Sequence, residues 1–150
     1  MQYWLLKSEP DTYSIDDLKR DKKTPWEGVR NFQARNHMRA MKTGDLILFY
    51  HSSTKPTGIA GIAKVASMPH TDESQFRKGD YFEPRATREK PVWECVDVAF
   101  VEKAKQCITL EQLKRDAALT GLGLLQRGSR LSVQPVSAVH FAHIRSLVKR

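Results

Sequence analysis

The succession of apolar and polar segments in this 150-residue chain predicts an α+β fold built on a small curved or barrel-like sheet. Three observations carry that expectation. Strand-like runs, four or five of them, are interspersed with short helical ones; no βαβ unit repeats; and neither an internal repeat nor a low-complexity segment interrupts the chain. At this length one compact domain over residues 1–150 is expected, large enough to bury roughly two-thirds of its unfolded surface.

Gln2 to Lys7 is apolar and aromatic and reads as a strand that stops at Ser8-Glu9-Pro10, because Pro10 has no backbone donor. Ser14 followed by Asp17 forms a helix N-cap pattern, and Ile15 and Leu18 give a short helix through Arg20 its apolar side. Asp21 to Thr24 then reads as a charged loop leading into PWEGVRNFQARN (25–36). There Gly28 permits a tight turn, and a helix starts at Phe32. Ala34, Met38 and Met41 recur at i, i+4 and i+7 on its apolar face, with Arg35, Arg39 and Lys42 on a neighbouring basic one.

Gly44-Asp45 ends that helix, and Leu46 to His51 is a compact strand closing in His51-Ser52-Ser53. Gly58 to Ala66, reached through Lys55-Pro56-Thr57-Gly58, pairs with it as a hairpin-like unit. Met68 to Pro91, with three prolines and many charges, reads as a long loop containing Tyr81 and Phe82. Val92 to Val101 is a strand rich in β-branched and aromatic residues. Thr109 and Gln112 form a capping box that opens a short helix. Leu119 to Gly128 packs as a short helix and turn. Leu131 to Val136 alternates as a strand until Pro135 interrupts it, and Ser137 caps a last helix whose Phe141, Ile144 and Val148 face inward.

Hydrophobic residues at 40% and charged residues at 28% exclude wholesale disorder. An excess of 25 Lys+Arg over 17 Asp+Glu, net +8, favours polyanionic partners by long-range attraction. Cys95 and Cys107 lack the spacing of a zinc knuckle or disulfide scaffold, which points to a reduced intracellular protein. The N-terminus shows no basic leader, and no segment approaches the roughly 20 apolar residues of a membrane span, so a cytoplasmic protein without a membrane partner is expected.

Catalytic motifs are missing. There is no GxSxG elbow, HExxH or P-loop, and GLGLLQRG does not follow a strand of a βαβ unit. His140 and His143 share a helix face, but no carboxylate or cysteine near them completes a metal site. Asp16-Asp17 is explained by the helix dipole it meets. The reading is therefore no catalytic residue, no metal and no cofactor.

Polar groups at strand ends say more. Ser8-Glu9, His51-Ser52, Ser132 and Gln134, gathered around Trp26 and Arg30-Asn31, would line a concave site with an aromatic wall suited to a planar heterocycle. Each has a plainer reading: Trp26 as a lid on the core, Arg30 as a cap on backbone carbonyls, Ser132 and Gln134 as solvent-facing strand positions, Arg35, Arg39 and Lys42 as a solvated helix face. Composition and spacing leave these open.

The motifs MQYWLLKSEPDTYSIDDL, WEGVRNFQARN, MKTGDLILFYHS, GIAGIAKV and RLSVQPV, in that order and across essentially the whole chain, resemble the EVE domain family. KSEP, GVRN with ARN, FYHS and SVQP are specific as a set. The resemblance implies a PUA-like fold, a small mixed β-barrel surrounded by short helices, related to the YTH domains that read methylated adenine in RNA. It implies a pocket for a modified or flipped base; eukaryotic members are associated with modified cytosines in DNA, bacterial ones with RNA modification or restriction of modified DNA. Matched position by position, it puts Trp26, Val29, Arg30, Asn31, Tyr50, His51, Ser52, Ser132 and Gln134 in the pocket, with Lys7, Ser8 and Glu9 at its rim.

The expected function is thus a non-catalytic, monomeric reader of RNA or DNA. It holds a flipped, modified base, with Arg35, Arg39 and Lys42 on phosphates. Two rivals stand beside it: an enzyme acting on a modified nucleotide or small heterocycle through His51 and Glu9, and a small-ligand or protein-interaction module.

Overall fold

The computed structural model describes residues 1–128 and 130–150. Its frame is a six-stranded mixed sheet curled into a half-barrel, with four short helices around it. The most apolar runs occupy the middle of the sheet, where both faces are covered. These are β1 (Tyr3–Ser8), β3 (Leu46–His51) and β4 (Gly58–Val65). β1 runs parallel to β3 with Leu5 opposite Leu48, β3 pairs antiparallel with β4 as the hairpin predicts, and β4 pairs antiparallel with β7 (Asp97–Thr109). β2 (Lys23–Pro25) and β8 (Val133–Val136) form the two edges, so the strand order is β2-β7-β4-β3-β1-β8.

Period-2 alternation sends successive side chains to opposite faces and creates two cores. On one face Trp4, Leu6, Ile47 and Phe49 pack against α1 (Ile15–Asp21) and α2 (Phe32–Ala40) through Ile15, Leu18, Ala34 and Met38. On the other, Leu5, Leu48, Tyr50 and Ile62 pack against α3 (Leu110–Arg115) and α4 (Ala138–Val148) through Leu113, Phe141, Ile144 and Val148. The second glycine of GIAGIAKV, Gly61, serves the first face. A Cβ on Gly61 would lie 2.4 Å from the Glu102 carbonyl and 3.0 Å from Ile15, so a larger residue would push α1 and β7 away. Both capping boxes form: Ser14 with Asp17, and Thr109 with Gln112. Ser137 caps α4 by accepting from the His140 amide.

Several boundaries differ from the sequence expectation; α2, for one, stops at Ala40 with Met41 as its C-cap, short of Gly44. The charged stretch 21–24 contributes to β2, because an edge strand beside β7 keeps its Lys23 side chain in solvent. Val92 to Val101 is two strands: β6 (Glu94–Cys95) pairs with β5 (His70–Thr71) in a separate two-stranded sheet, and β7 starts after Val96, whose carbonyl accepts from the Trp26 amide at 2.9 Å. β7 then runs on through Glu102-Lys103 to Thr109, polar residues that its partly exposed face tolerates. Pro135 lies inside β8 rather than ending it. An edge strand has one row of unpaired backbone groups, and the missing N–H falls there without cost.

Candidate functional site

A cavity of about 460 Å³ opens where the end of β1 meets the turn between β2 and α2, within the roughly 300–1,000 Å³ usual for ligand sites. The end of β1 and the residues after it supply Lys7, Ser8, Glu9, Thr12 and Tyr13. The facing wall is Thr24 to Arg30, and Tyr81 and Ser132 close the sides. Trp26 performs both jobs that the sequence left open. It packs edge-on against Phe49 at 5.5 Å and against Tyr13 at 6.0 Å, and it still lines the cavity.

Gly28 sets the shape of the turn. Its φ of +93° suits glycine, and a Cβ there would sit 2.7–3.0 Å from the Tyr81 ring. Tyr81 thus lies directly over the turn although it is more than fifty residues away in sequence. Arg30 holds it there. A guanidinium has five N–H donors, and all five are engaged. Nε and one Nη2–H donate to the Tyr81 carbonyl (3.2 and 2.7 Å), Nη1 donates to the Val29 carbonyl and the Asp72 carboxylate (both 3.0 Å), and the other Nη2–H to Ser74 Oγ (3.1 Å). Arg30 therefore clamps the 72–81 loop to the turn and has no donor left for a ligand.

Asp72 is the buried counterpart, its side chain 1% exposed. Burial alone would raise its carboxyl, but hydrogen bonds from Ser74 and the Gly28 amide, with the Arg30 guanidinium, outweigh that and hold it below the ordinary value. Lys7 is a cation in the cavity lining, and burial lowers its ammonium pKa. Glu27 is tied to Arg77 at 2.8 Å, and Ser8 Oγ donates to the Tyr13 carbonyl at 2.6 Å while keeping acceptor capacity.

The structure brings seven of the twelve expected pocket and rim residues to this cavity: Lys7, Ser8, Glu9, Trp26, Val29, Arg30 and Ser132. The other five lie elsewhere, each for a physical reason. Asn31 is the N-cap of α2, its side chain accepting from the Ala34 amide at 2.9 Å. Tyr50, 3% exposed, belongs to the core on the opposite face of the sheet. His51 accepts from the Ile15 amide through Nε2 at 3.0 Å and so anchors the start of α1; burial lowers its pKa, as an accepting ring nitrogen requires. It does not line the cavity that Glu9 lines, so the acid–base pair of the enzyme reading is not assembled there. Ser52 meets β1 through its amide, which donates to the Ser8 carbonyl at 2.9 Å. Gln134 is buried, donates to the Leu131 carbonyl at 2.7 Å and lies beside Gly123.

Of the three basic residues expected on one helix face, Arg35 donates to the Val92 carbonyl at 2.8 Å, Arg39 pairs through Nε with Glu94, and Lys42 lies exposed beyond the C-cap of α2. Sequence reasoning left out Thr12, Tyr13, Thr24 and Tyr81. For Tyr81 the local signal was an aromatic pair, Tyr81-Phe82, in an otherwise charged loop. Among the described residues no group of three or more His, Cys, Asp or Glu side chains could hold a metal, and no helix is long and apolar enough to cross a membrane. Cys95 has His70 and Asp97 near it, but its sulfur is 3.9 Å from both ring nitrogens, and burial, with Asp72 next, pushes its thiol up to about 12. It is an inert core thiol.

The chain is similar to several known proteins along its whole length. Human thymocyte nuclear protein 1 is 39% identical over 99% of this chain and 74% of its own length. A solved hypothetical protein from Leishmania major superposes with a TM-score of 0.95 at 49% identity, covering 99% of this chain and 95% of that one. The crystal structure of human THYN1 protein in complex with 5-methylcytosine-containing DNA superposes with a TM-score of 0.91 at 38% identity, covering 100% and 99% of the two chains. The EVE domain model matches residues 2–147, and with relatives this close across the full fold the chain belongs to the EVE domain family, in its PUA-like architecture.

Proposed function

We propose that this protein is a non-catalytic nucleic-acid reader that holds an extruded, modified base in the cavity between the end of β1, the Trp26–Arg30 turn and Tyr81. The observation that carries the reading is the lining itself: Tyr13, Trp26 and Tyr81 line one cavity together with Lys7, Ser8, Glu9 and Ser132. A flipped base needs that combination, since stacking contributes about 1–3 kcal/mol per base and its edge must find donors and acceptors. Lys7 suits an acceptor on the base edge or a phosphate, and Glu9 and the serine hydroxyls suit an exocyclic amine. The complex of the human relative with 5-methylcytosine-containing DNA supports a modified cytosine as ligand.

Arg30 acts on the ligand indirectly, by fixing Tyr81 as a wall. Phosphate contacts fall to Lys42 and to Arg39, whose bond to Glu94 uses Nε and leaves the terminal nitrogens for a phosphate, with Arg35 beside them. Selectivity follows from polar cavity groups left unpaired when the wrong base enters. The test is a set of matched DNA and RNA oligonucleotides with cytosine or 5-methylcytosine, titrated across a salt series. A preference for the modified base, with affinity falling as salt rises, is expected. Equal, salt-insensitive affinity for every oligonucleotide would overturn the reading.

A further inference from the structure

Tyr81 is the first rung of a ladder that leaves the cavity. The Arg30 guanidinium lies 5.5 Å from the Tyr81 ring centroid and 5.2 Å from that of Trp93. Trp93 stacks on Phe32 with centroids 4.8 Å apart and planes 20° apart. Arg35 and Arg85 then lie 4.8 and 5.8 Å over the Phe32 ring. The ladder ends in solvent: Phe32 is 47% exposed and Phe82, next to Tyr81, is 50% exposed.

Isolated exposed apolar residues are ordinary on a protein surface. Phe32 differs because guanidinium groups lie over it and because contacts run from it through Trp93 and Arg30 to the cavity wall, whereas Phe82 adjoins that wall only as the chain neighbour of Tyr81. Aromatic faces alternating with arginines are the composition that holds nucleic-acid strands, by stacking and by charge. We propose that Phe32 and Arg85 form a second subsite for the nucleotide adjacent to the extruded one on the same strand. Its base lies on the exposed aromatic surface and its phosphate on Arg85. The inference rests on the reading of the cavity as a base site.

Arg85 is bound to Glu83 through both Nε (3.0 Å) and Nη2 (2.9 Å), but its side chain remains 64% exposed and Nη1 is not used by that pair, which leaves a donor for a phosphate. Glu83 also accepts from Trp93 Nε1 at 2.9 Å, so when Arg85 turns to a phosphate the carboxylate keeps a donor. The net charge of +8 draws the strand to such a surface.

The experiment compares two probes, 5-methyl-2′-deoxycytidine monophosphate and a DNA duplex carrying one 5-methylcytosine, on the wild type, Phe32→Ala and Arg85→Ala. Both substitutions are expected to weaken duplex binding by about 5- to 100-fold, the range for a lost stacking partner, and to leave mononucleotide binding unchanged. Arg85→Ala should also lower the salt slope of duplex binding by about one. Unchanged duplex affinity in both variants would overturn the subsite, as would an equal loss for the mononucleotide, which would make Phe32 a prop of the cavity. If Phe32→Ala lowers the melting temperature, the surface change Arg85→Ala decides alone. A wild type that binds the duplex but not the mononucleotide, with the duplex weakened in either variant, would sink the cavity reading and leave the strand subsite standing.

Discussion

The GVRN turn and the FYHS strand end belong to one set of motifs that is specific as a set, yet they do different work. In the turn, the Trp26 and Val29 side chains reach the cavity and Gly28 makes room for Tyr81. In the strand end, Tyr50 faces the opposite core, His51 accepts from the Ile15 amide and Ser52 meets β1 through its backbone. Even within the turn, the Arg30 donors and the Asn31 side-chain oxygen are engaged inside the protein. A motif therefore marks the family. Whether a residue in it can meet a ligand depends on whether its hydrogen-bonding capacity is already taken.

That comparison can be broken in several ways. The largest expected effect is Arg30→Ala, which leaves the buried Asp72 carboxylate without its guanidinium and releases the 72–81 loop. A loss of about 3 kcal/mol in chemical denaturation is expected, together with loss of ligand binding. Arg30→Lys should recover little of it, because an ammonium cannot reach the Tyr81, Asp72 and Ser74 acceptors at once. A near-neutral Arg30→Ala would contradict the clamp. Gly28→Ala comes next, at about 1–3 kcal/mol, from positive φ and collision with Tyr81; a crystal structure of the variant should show the ring displaced.

Much of the fold was legible because its signals are local. Ser14 with Asp17 and Thr109 with Gln112 announce helix starts three residues away, and the apolar run 46–51 announces a central strand by itself. What was not legible is set by distant partners. Lys23–Pro25 is a strand only because β7 lies beside it, and Pro135 is tolerated only because β8 is an edge. The site divides the same way. The residues within KSEP and the Trp26–Arg30 turn could be found, whereas Tyr81, on an irregular loop, joins the cavity through contacts with Gly28 and Arg30 some fifty residues away in sequence.

Smaller effects sharpen the strand-end side. His51 carries a folded pKa below its ordinary 6.5, so protonation favours the unfolded chain. Its contribution is present in full above 6.5 and is lost as pH falls below that value toward the lowered one. His51→Gln, which keeps an acceptor for the Ile15 amide but does not titrate, should reduce the stability drop between pH 7.5 and 5.5 seen in the wild type and leave oligonucleotide binding at neutral pH intact. An unchanged pH dependence would remove His51 from that account. Smallest is Tyr50→Phe: a change of about 1 kcal/mol or less and no change in binding are expected from a ring packed in the far core.

The central claim is that discrimination between bases resides in the cavity walled by Trp26. The most direct measurement is the affinity ratio between duplexes bearing 5-methylcytosine and cytosine at one position, determined for the wild type, Trp26→Ala and Tyr50→Phe, each checked for folding by thermal melting. A ratio above one in the wild type and in Tyr50→Phe, collapsing to one in Trp26→Ala, is the predicted result. A ratio that survives in folded Trp26→Ala, or that Tyr50→Phe abolishes, would contradict it.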